Sequence, residues 1–586
     1  MPSPELLECP HGTHCGGCAA LGVPYAEQLV HKGALVRHAF DRYPEHAALR
    51  FDTVSAAQPT TQYRVRAKLV CGEDGTLGLF ARDSHAVIDI PECRVLAPPL
   101  LRVAAAARAH LPAAAVKLDG LDLRLVDRGV LATLIAPRGT PLPALAEAAR
   151  ALCAASAEVA GVAASFRAAG SATVLGTGHV VLVGSNVEPH HLRSTGPYHY
   201  AAHGSFVQAH LAQTERAHRA IEGALRELSA RTVLELYAGS AALSLGLAAA
   251  GFELTAVEAF APALAHAERA AREQKLALCT VSGQAERVTR ELAERAARFD
   301  AVIVNPPRRG LSVDVRIAVA ALAPRALLYM SCEPATLARD LAHFRELGFD
   351  AQELWPFDMI PHSAAVECLV VARRGAVPAP RVSFENDQLI AIDQTGYPGA
   401  SRGDLPSRVR ALSGASGAVP VHELDADHSG LVLFARSAAS LPALQAALAG
   451  GARSFVGLSR GVTHKKGRIR RPLRGKPRGA PPCTTYRRVA LHGGHSLLEI
   501  EPDSPSSAQI RQHLAGVGHP ILGDPRFGDG ASNTFFEHRH GLDRSFLHCS
   551  AVRLELGSTT LNLSAPLPGE LSSVLESLSQ QPALQR

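Results

Sequence analysis

The sequence feature that most constrains the fold is a strand, a glycine turn and a helix between residues 232 and 244. The apolar run Thr232–Leu236 leads through Gly239 into a segment with helical spacing of apolar residues. Gly239 lets the backbone approach a ligand closely. A second apolar run ends in Glu258, about 20 residues on, where a carboxylate can accept hydrogen bonds from ribose hydroxyls. This pattern predicts an open α/β sheet of the Rossmann type.

The kind of cofactor follows from what this turn lacks. The phosphate-binding glycine fingerprint of dinucleotide sites does not follow the first strand. We therefore expect a nucleoside cofactor without a pyrophosphate, and S-adenosylmethionine is the leading candidate.

Two further predicted strands end in residues that can do chemistry. The run 300–304 leads into Asn305-Pro306-Pro307-Arg308, whose prolines favour an extended loop. The run 326–330 leads into Cys332, and a helical pattern begins at Thr336. A thiol just before a helix N-terminus feels the positive end of the helix dipole, which favours the thiolate. A buried, inert cysteine is the alternative, but three strand ends of this kind indicate a ligand-binding edge.

The length of the chain requires more than one folding unit. At 586 residues it is too long for a single core, so we expect two to four domains. No apolar run reaches the roughly 20 residues that span a bilayer, and the first residues lack the pattern of a secretory signal. We expect a cytoplasmic protein without a membrane partner.

The distribution of charge points to a polyanionic partner. The net charge is only +6, but residues 453–488 contain twelve Lys or Arg and no acidic residue. Such a run can be a solvated loop, yet like charges repel, and nucleic acid is the natural partner. Residues 63–70 alternate as a strand with one basic face, which can follow phosphates.

Four cysteines form a candidate metal centre. Cys9, Cys15 and Cys18 lie within ten residues, separated by Gly and Pro, and Cys93 is a fourth candidate. Four thiolates suit either zinc or an iron–sulfur cluster, and the spacing does not choose between them. Reduced free cysteines are the alternative.

The segment from Cys9 to about Arg374 resembles the S-adenosylmethionine-dependent RNA uracil-5-methyltransferases. The matching motifs are the four cysteines, Gly204-Ser205-Phe206-Val207-Gln208, the turn at 236–243, Asn305-Pro306-Pro307-Arg308, Ser331-Cys332-Glu333-Pro334, and 357–362 leading to Val366-Glu367. The resemblance implies a [4Fe–4S] cluster on Cys9, Cys15, Cys18 and Cys93. It also implies a cofactor site lined by Gln208, Tyr237, Glu258 and Asn305, around the turn at Gly239.

The reaction implied by this resemblance also makes sense from the residues. Cys332 would add to C6 of uracil and activate C5, and Glu367 would remove the C5 proton after methyl transfer. The chain departs from the family where it has Asn305 in place of Asp, Gln284 in place of Asp and Ala365 in place of His. The oligonucleotide-binding barrel usual in the family is not expected here, because Cys9 lies close to the start.

A Pro/Ala-rich stretch at 375–382 predicts a linker, and a second resemblance follows it. Residues 381–568 resemble the pseudouridine synthases of the large-subunit rRNA and tRNA type. This implies that Asp425 is the catalytic carboxylate, that Arg511 pairs with it, and that Phe455, where most members have Tyr, can stack on the base. Glu423 replaces the motif arginine, and residues 504–508 depart from the family motif, so a degenerate RNA-binding module is the alternative.

The predicted fold is an α/β Rossmann-like methyltransferase with an α+β central insert, followed by an α+β mixed-sheet pseudouridine synthase domain. The predicted units are 1–95 with the cysteines, 96–210, the methyltransferase unit 211–374, the linker 375–382, and 383–586. We expect an enzyme that methylates C5 of uridine in structured RNA, 23S rRNA first and tRNA second, and isomerises uridine to pseudouridine. The alternatives are that only the methyltransferase half is active, or that the whole chain is a non-catalytic RNA-binding or ribosome-assembly factor.

Overall fold

The computed structural model describes residues 6–579 except 73–74, 83, 112–115, 169–174, 177, 194, 395–404, 413, 426, 474–480 and 504–506. Part of the basic run 453–488, and Ser504, Pro505 and Ser506 of the altered motif, therefore lie outside the described residues. Among the helices in the described ranges, none combines the length and apolar character needed to span a bilayer.

The first third of the chain supplies strands to three sheets. Its elements are α1 (Tyr25–Phe40), β1 (Arg50–Phe51), β2 (Arg66–Cys71), β3 (Leu77–Phe80), β4 (Val87–Asp89), α2 (Pro98–His110), β5 (Gly120–Val126), β6 (Gly129–Pro137), α3 (Leu142–Ala155), β7 (Val159–Arg167), β8 (Val180–Gly184), β9 (Val187–His191) and β10 (Tyr198–Ala202). A seven-stranded sheet has the order β4-β3-β2-β5-β6-β7-β8, and β9 pairs with β10. This sheet runs across the boundary predicted at residues 95 and 96.

The second third alternates strands and helices, as the sequence predicts. Its elements are α4 (Leu211–Glu227), β11 (Thr232–Leu236), α5 (Ala242–Ala249), β12 (Glu253–Glu258), α6 (Ala261–Glu273), β13 (Leu278–Ser282), α7 (Ala285–Glu294), β14 (Ala301–Val304), α8 (Val313–Ala321), β15 (Ala326–Ser331), α9 (Pro334–Glu346), β16 (Phe349–Phe357) and β17 (Glu367–Arg374). They form an eight-stranded sheet in the order β1-β16-β17-β15-β14-β11-β12-β13. The early strand β1 joins this sheet by pairing with β16.

The central strands of this sheet are apolar because they are buried on both faces. All residues of β14 and β15 are buried, because helices cover both faces of a parallel sheet. The strand order reverses between β11 and β14, which pair side by side. In open α/β sheets ligands bind at the carboxyl ends of the strands beside such a reversal. The turn with Gly239 and the loop with Asn305 both lie there.

The last third forms one mixed sheet, as predicted. Its elements are β18 (Val382–Glu385), β19 (Leu389–Gln394), α10 (Leu405–Arg410), β20 (Val419–Pro420), β21 (Ser429–Ala435), α11 (Leu441–Gly450), β22 (Ala452–Ser459), β23 (Lys466–Arg470), β24 (Cys483–His492), β25 (His495–Pro502), α12 (Ser507–Gly516), α13 (Gly530–His540), β26 (Leu547–Leu556), β27 (Thr559–Ser564) and α14 (Gly569–Ser579). The ten-stranded sheet has the order β18-β19-β21-β26-β22-β25-β24-β23, with β20 on β21 and β27 on β26. Only the β21–β26 pair is parallel among its described pairings, which gives the α+β class.

Candidate active sites

A cavity of about 720 Å³ collects the residues predicted for the first site. Its size falls within the range of small-molecule sites. The cavity is lined, among others, by Gln208, Tyr237, Gly239, Glu258, Asn305, Cys332, Glu367 and the four cysteines Cys9, Cys15, Cys18 and Cys93. The structure therefore brings together residues that lie more than 300 positions apart in the chain.

The turn after β11 is shaped by backbone conformation. Tyr237, Gly239 and Ala241 all have positive φ, of 62°, 57° and 54°. Such a conformation costs about 1 kcal/mol or more at a residue with a Cβ. Tyr237 and Gly239 of this turn line the cavity, which is the arrangement expected where a ligand approaches the main chain.

Glu258 is held in place by the backbone on both sides. Its Oε2 accepts a hydrogen bond from Gly239 N at 3.0 Å, and its Oε1 accepts one from Phe260 N at 2.9 Å. Each carboxylate oxygen keeps a further lone pair. The side chain can therefore accept hydrogen bonds from a ribose without moving.

The strand register places Glu367 opposite Cys332. β15 and β17 are antiparallel, and Ser331 pairs with Cys368. Cys332 directly follows β15, and Glu367 is the first residue of β17 and precedes Cys368, so both lie at the same edge of the sheet. Their charges interact, since Glu367 raises the pKa of the Cys332 thiol.

The electrostatics of Cys332 differ from the expectation based on the helix dipole. Cys332 does precede α9, but burial raises the pKa of its thiol and Glu367 adds to that rise. The Arg308 guanidinium acts in the opposite direction, through its charge and a hydrogen bond to the thiol. Desolvation outweighs the favourable charges, so the resting group is a thiol and Arg308 is the side chain that favours its thiolate.

Glu367 lies in a dry environment. The side chain is 6% exposed, and burial alone raises the pKa of its carboxyl to about 8. Loss of hydration disfavours the charged form. A carboxyl with this pKa can accept and release a proton near neutral pH.

The four cysteines all line the same cavity. All four are free thiols. The loop that carries three of them is fixed to β3, since Gly16 N donates to Phe80 O at 3.0 Å and Cys15 forms a bridge with Ala81. Burial raises the pKa of Cys18 to about 12, and the charges of Cys93, Cys15 and Cys9 add to the rise. Within the described ranges, no three His, Cys, Asp or Glu side chains lie close enough to hold a single metal ion.

The second site is built around Asp425. Its Oδ2 accepts hydrogen bonds from Ser507 Oγ at 2.6 Å and from Arg511 Nη1 at 3.2 Å. Burial tends to raise the pKa of this carboxyl, but the hydrogen bond from Ser507 and the charges of His428 and Arg511 outweigh it, so the pKa is lowered. The side chain is still 44% exposed. Asp425 is thus an ionised carboxylate that a substrate can reach.

Arg511 is itself fixed by a second carboxylate. Its Nε donates to Asp524 Oδ2 at 2.9 Å, and its guanidinium stands over the Phe527 ring at 5.4 Å. Sequence reasoning did not single out Ser507 or Asp524 as site residues. The signal for Asp524 was its place in the Gly-Asp-Pro-Arg-Phe-Gly run, while Ser507 belonged to a motif that looked altered.

Two sequence-based interpretations of the second site change with the structure. Phe455 was expected to stack on the base, but it is 1% exposed and belongs to the core of the mixed sheet. Its ring therefore stabilises the fold and does not face a substrate. Glu423 is exposed, so its negative charge is largely screened by water.

Comparison with known proteins supports both halves. Residues 193–374 match the family model described as tRNA (Uracil-5-)-methyltransferase, and residues 397–516 match the one described as RNA pseudouridylate synthase. The first span includes Cys332 and Glu367, and the second includes Asp425 and Arg511.

Curated relatives match about three-fifths of this chain over most of their own length. An uncharacterized RNA methyltransferase of Caldanaerobacter subterraneus is 25% identical over 386 residues, which is 62% of this chain and 84% of the relative. One of Nitratidesulfovibrio vulgaris is 29% identical over 395 residues, which is 62% of this chain and 81% of the relative.

A solved structure shares the fold. The Pyrococcus abyssi tRNA (uracil-54, C5)-methyltransferase in complex with S-adenosyl-L-homocysteine superposes with a TM-score of 0.51 at 20% identity, over 63% of this chain and 86% of that one. The chain therefore joins a region that matches the tRNA (Uracil-5-)-methyltransferase model to a region that matches the RNA pseudouridylate synthase model.

Proposed function

We propose that the first site methylates C5 of uridine in structured RNA and that the second isomerises uridine to pseudouridine. The observation that carries the first activity is the register that places Glu367 opposite Cys332 within the cavity. A nucleophile and a base on one side of a bound uracil are what substitution at C5 requires.

The cofactor is S-adenosylmethionine, which supplies an electrophilic methyl group when bound. We propose that Glu258 binds the ribose of S-adenosylmethionine and that the turn at Gly239 approaches the methionine part. Gln208, Tyr237 and Asn305, which line the same cavity, complete this site. The carboxylate geometry of Glu258 is already fixed by two backbone N–H groups, so binding needs little reorganisation.

The proposed steps at the uracil use groups on this chain. Cys332 loses its proton to water, with Arg308 stabilising the thiolate, and forms a bond from Sγ to C6 while the C5–C6 double bond opens. The electron pair moves to C5, which would take the methyl group as the sulfonium–methyl bond breaks, with S-adenosylhomocysteine as the leaving group. The Glu367 carboxylate then removes the C5 proton, the C5–C6 double bond re-forms, and the bond between Cys332 and C6 breaks. The base must leave its stack to enter the cavity.

We propose that Cys9, Cys15, Cys18 and Cys93 hold a [4Fe–4S] cluster. The support is that four free thiols line one cavity and influence one another's charge. Anaerobically purified protein should absorb visible light and Cys18→Ser should not. A colourless wild-type protein with stoichiometric zinc would contradict the cluster.

The second activity is supported by the ionised, reachable carboxylate of Asp425 held by Arg511. In the proposed reaction this carboxylate acts on a flipped uridine while the bond between C1′ and N1 breaks. The base rejoins through a bond between C1′ and C5, and the proton lost from C5 is balanced by one gained at N1. A degenerate RNA-binding module is the competing function, because the motif around 504–508 is altered.

The proposed substrate is 23S rRNA, with tRNA as the second candidate because the matching family model is named for tRNA. Exposed basic residues on β23, Lys466, Arg468 and Arg470, support an RNA contact in the C-terminal half. We further propose a cytoplasmic location, where both RNAs are available.

A split assay tests both activities. Wild type, Cys332→Ala and Asp425→Asn would be incubated with rRNA and tRNA transcripts and S-adenosylmethionine, and nucleosides measured by mass spectrometry. We expect each variant to lose one product, 5-methyluridine or pseudouridine, and to keep the other. If wild type binds these RNAs but makes 5-methyluridine alone, the C-terminal half is a binding module, and if it makes neither product, the catalytic function fails.

A further inference from the structure

The two enzymatic halves meet at the segment 541–545, which connects α13 to β26. Asp543 of this segment is 8% exposed and forms an ion pair with Arg316 of α8. Its Oδ2 also lies 3.9 Å from Arg339 Nε of α9. The carbonyl of Gly541 accepts a hydrogen bond from Arg339 Nη1 at 2.8 Å. The C-terminal half thus contributes a buried carboxylate and a backbone carbonyl to the methyltransferase half.

The same arginine holds the loop 305–311, which carries Asn305 and Arg308 of the first site. Arg339 Nη2 donates to Arg309 O at 2.9 Å, and Asp340 Oδ2 accepts a hydrogen bond from Leu311 N at 2.7 Å. Gly310 packs directly against this pair. A Cβ added there would lie 2.6 Å from Asp340 Oδ2. The position of the loop is therefore set by Arg339 and Asp340.

A second contact reaches the loop from the C-terminal half. Arg309 Nη1 donates to His538 Nε2 at 2.8 Å, and His538 belongs to α13. Unlike the buried ion pair, this contact lies at the surface. The loop is thus held on one side by buried charges and on the other by an exposed hydrogen bond.

The segment 541–545 is also fixed to the second site. Arg544 forms an ion pair with Glu570 at 2.6 Å, and its Nη2 donates to Ser429 Oγ at 3.0 Å. Its Nη1 lies 3.4 Å from the carbonyl of Asp427, and Asp427 is 3.6 Å from Arg511. Consecutive residues, Asp543 and Arg544, therefore contact the surroundings of the two sites.

We propose that Asp543 is a positioning residue for the methyltransferase reaction, acting through Arg316 and Arg339 on the loop that carries Asn305 and Arg308. The proposal rests on the proposed methyltransferase function. Its physical basis is that two buried guanidiniums, those of Arg316 and Arg339, share two buried carboxylates, those of Asp340 and Asp543. Without the charge of Asp543, Asp340 alone would have to balance both, and an incompletely balanced buried charge is strongly disfavoured. Removing the charge of Asp543 makes Arg316 and Arg339 rearrange, and the loop moves with them. The C-terminal half is then part of the methyltransferase and not only a tethered neighbour.

The test compares full-length variants. Asp543→Asn removes the buried charge, Asp543→Glu keeps it, and Glu576→Gln is the matched control. Glu576 forms an ion pair with Arg42 across the same interface, but it makes no described contact with the loop. We expect Asp543→Asn to lower kcat for 5-methyluridine formation by about 10- to 100-fold, the effect of a misplacement near 1 Å, and to raise KM for S-adenosylmethionine. Asp543→Glu should restore part of both.

Several outcomes overturn the proposal. A purely structural loss lowers the active fraction, so kcat would fall at unchanged KM. Equal constants for Asp543→Asn and Glu576→Gln would also refute it. If Asp543→Asn does not fold, Asp543→Glu takes its place, because the longer side chain keeps the charge but displaces it from Arg316, and wild-type kcat and KM in that variant would refute the proposal.

A readout without RNA separates this proposal from the proposed function. Cys332 alkylation by iodoacetamide, followed on its own peptide by mass spectrometry, reports how Arg308 stabilises the thiolate. We expect the midpoint of its pH profile to rise in Asp543→Asn and to stay unchanged in Glu576→Gln. If wild type makes no 5-methyluridine, the proposed function fails, while this profile still decides whether Asp543 positions the loop.

Discussion

Glu367→Gln offers a direct test of the first site, because it removes a proton acceptor while keeping the shape of the side chain. Without a carboxylate at this position the C5 proton cannot leave, so methylated RNA should stay bonded to Cys332. General bases contribute on the order of 10²- to 10⁴-fold to rate. We expect adduct decay to slow by about this factor and a covalent protein–RNA complex to persist on a denaturing gel.

The same substitution should stabilise the protein, and the size of the effect depends on pH. Burial raises the pKa of Glu367 from 4.5 to about 8. Between these values the unfolded chain is ionised while the folded one is protonated, so stability falls by about 1.4 kcal/mol for each rise of one pH unit. At pH 7.5 the loss reaches roughly 4 kcal/mol. Gln does not ionise and avoids this loss.

The assay is thermal or urea unfolding of wild type and Glu367→Gln from pH 5 to pH 9. Over this range the stability difference should be smallest at pH 5, grow with pH and level off above about pH 8. Glu333→Gln is the control, since Glu333 is next to Cys332 and burial also raises its pKa, but it is not among the residues lining the cavity. It should release product normally. A Glu367→Gln variant that releases free 5-methyluridine at the wild-type rate, or whose stability difference does not vary with pH, would refute the reasoning.

Three further outcomes follow from contacts elsewhere in the structure. Arg511→Lys loses the guanidinium that binds Asp524 through Nε and Nη2 while its Nη1 donates to Asp425. Pseudouridine formation should therefore fall by about 10- to 100-fold, the worth of a charged hydrogen bond, as read by mass spectrometry with methylation unchanged. Burial lowers the pKa of His199 to about 3 and that of His203 to about 4. The stability that these neutral side chains allow is therefore fully present above pH 6.5 and is lost as pH falls toward 4 and below. Gln at either position should shift the acid-unfolding midpoint, followed by circular dichroism, to lower pH. Phe344 of α9 is fully buried in the main core, and Phe344→Ala should destabilise by about 3–5 kcal/mol, measured by urea unfolding.

Local sequence patterns determined the strands of the α/β sheet and the residues at their ends. Gly239, Glu258, Asn305 and Cys332 each follow an apolar run, and such a run forms a strand wherever it is buried. The type of residue at each end then indicates what it can do chemically. This is why the residues of the first cavity could be named before their positions in space were known.

Tertiary structure decided how distant strands align and which side chains lose water. The register of β15 and β17 brings Glu367 to Cys332. Burial then keeps Cys332 protonated as a thiol and raises the pKa of the Glu367 carboxyl to about 8. Burial also removes Phe455 from the second site. A local pattern carries no information about packing between segments far apart in the chain, and both pKa and exposure depend on that packing.

The contact between the halves belongs wholly to the tertiary level. In the sequence, Asp543 is an acidic residue near the end of a second domain, with no motif around it. Only the folded chain places it against Arg316, in a buried environment where a charge must be paired. The sequence by itself determined which two families the halves resemble. The fold decided that the C-terminal half contacts Arg316 and Arg339 of the first half, because charges interact strongly only where packing has excluded water.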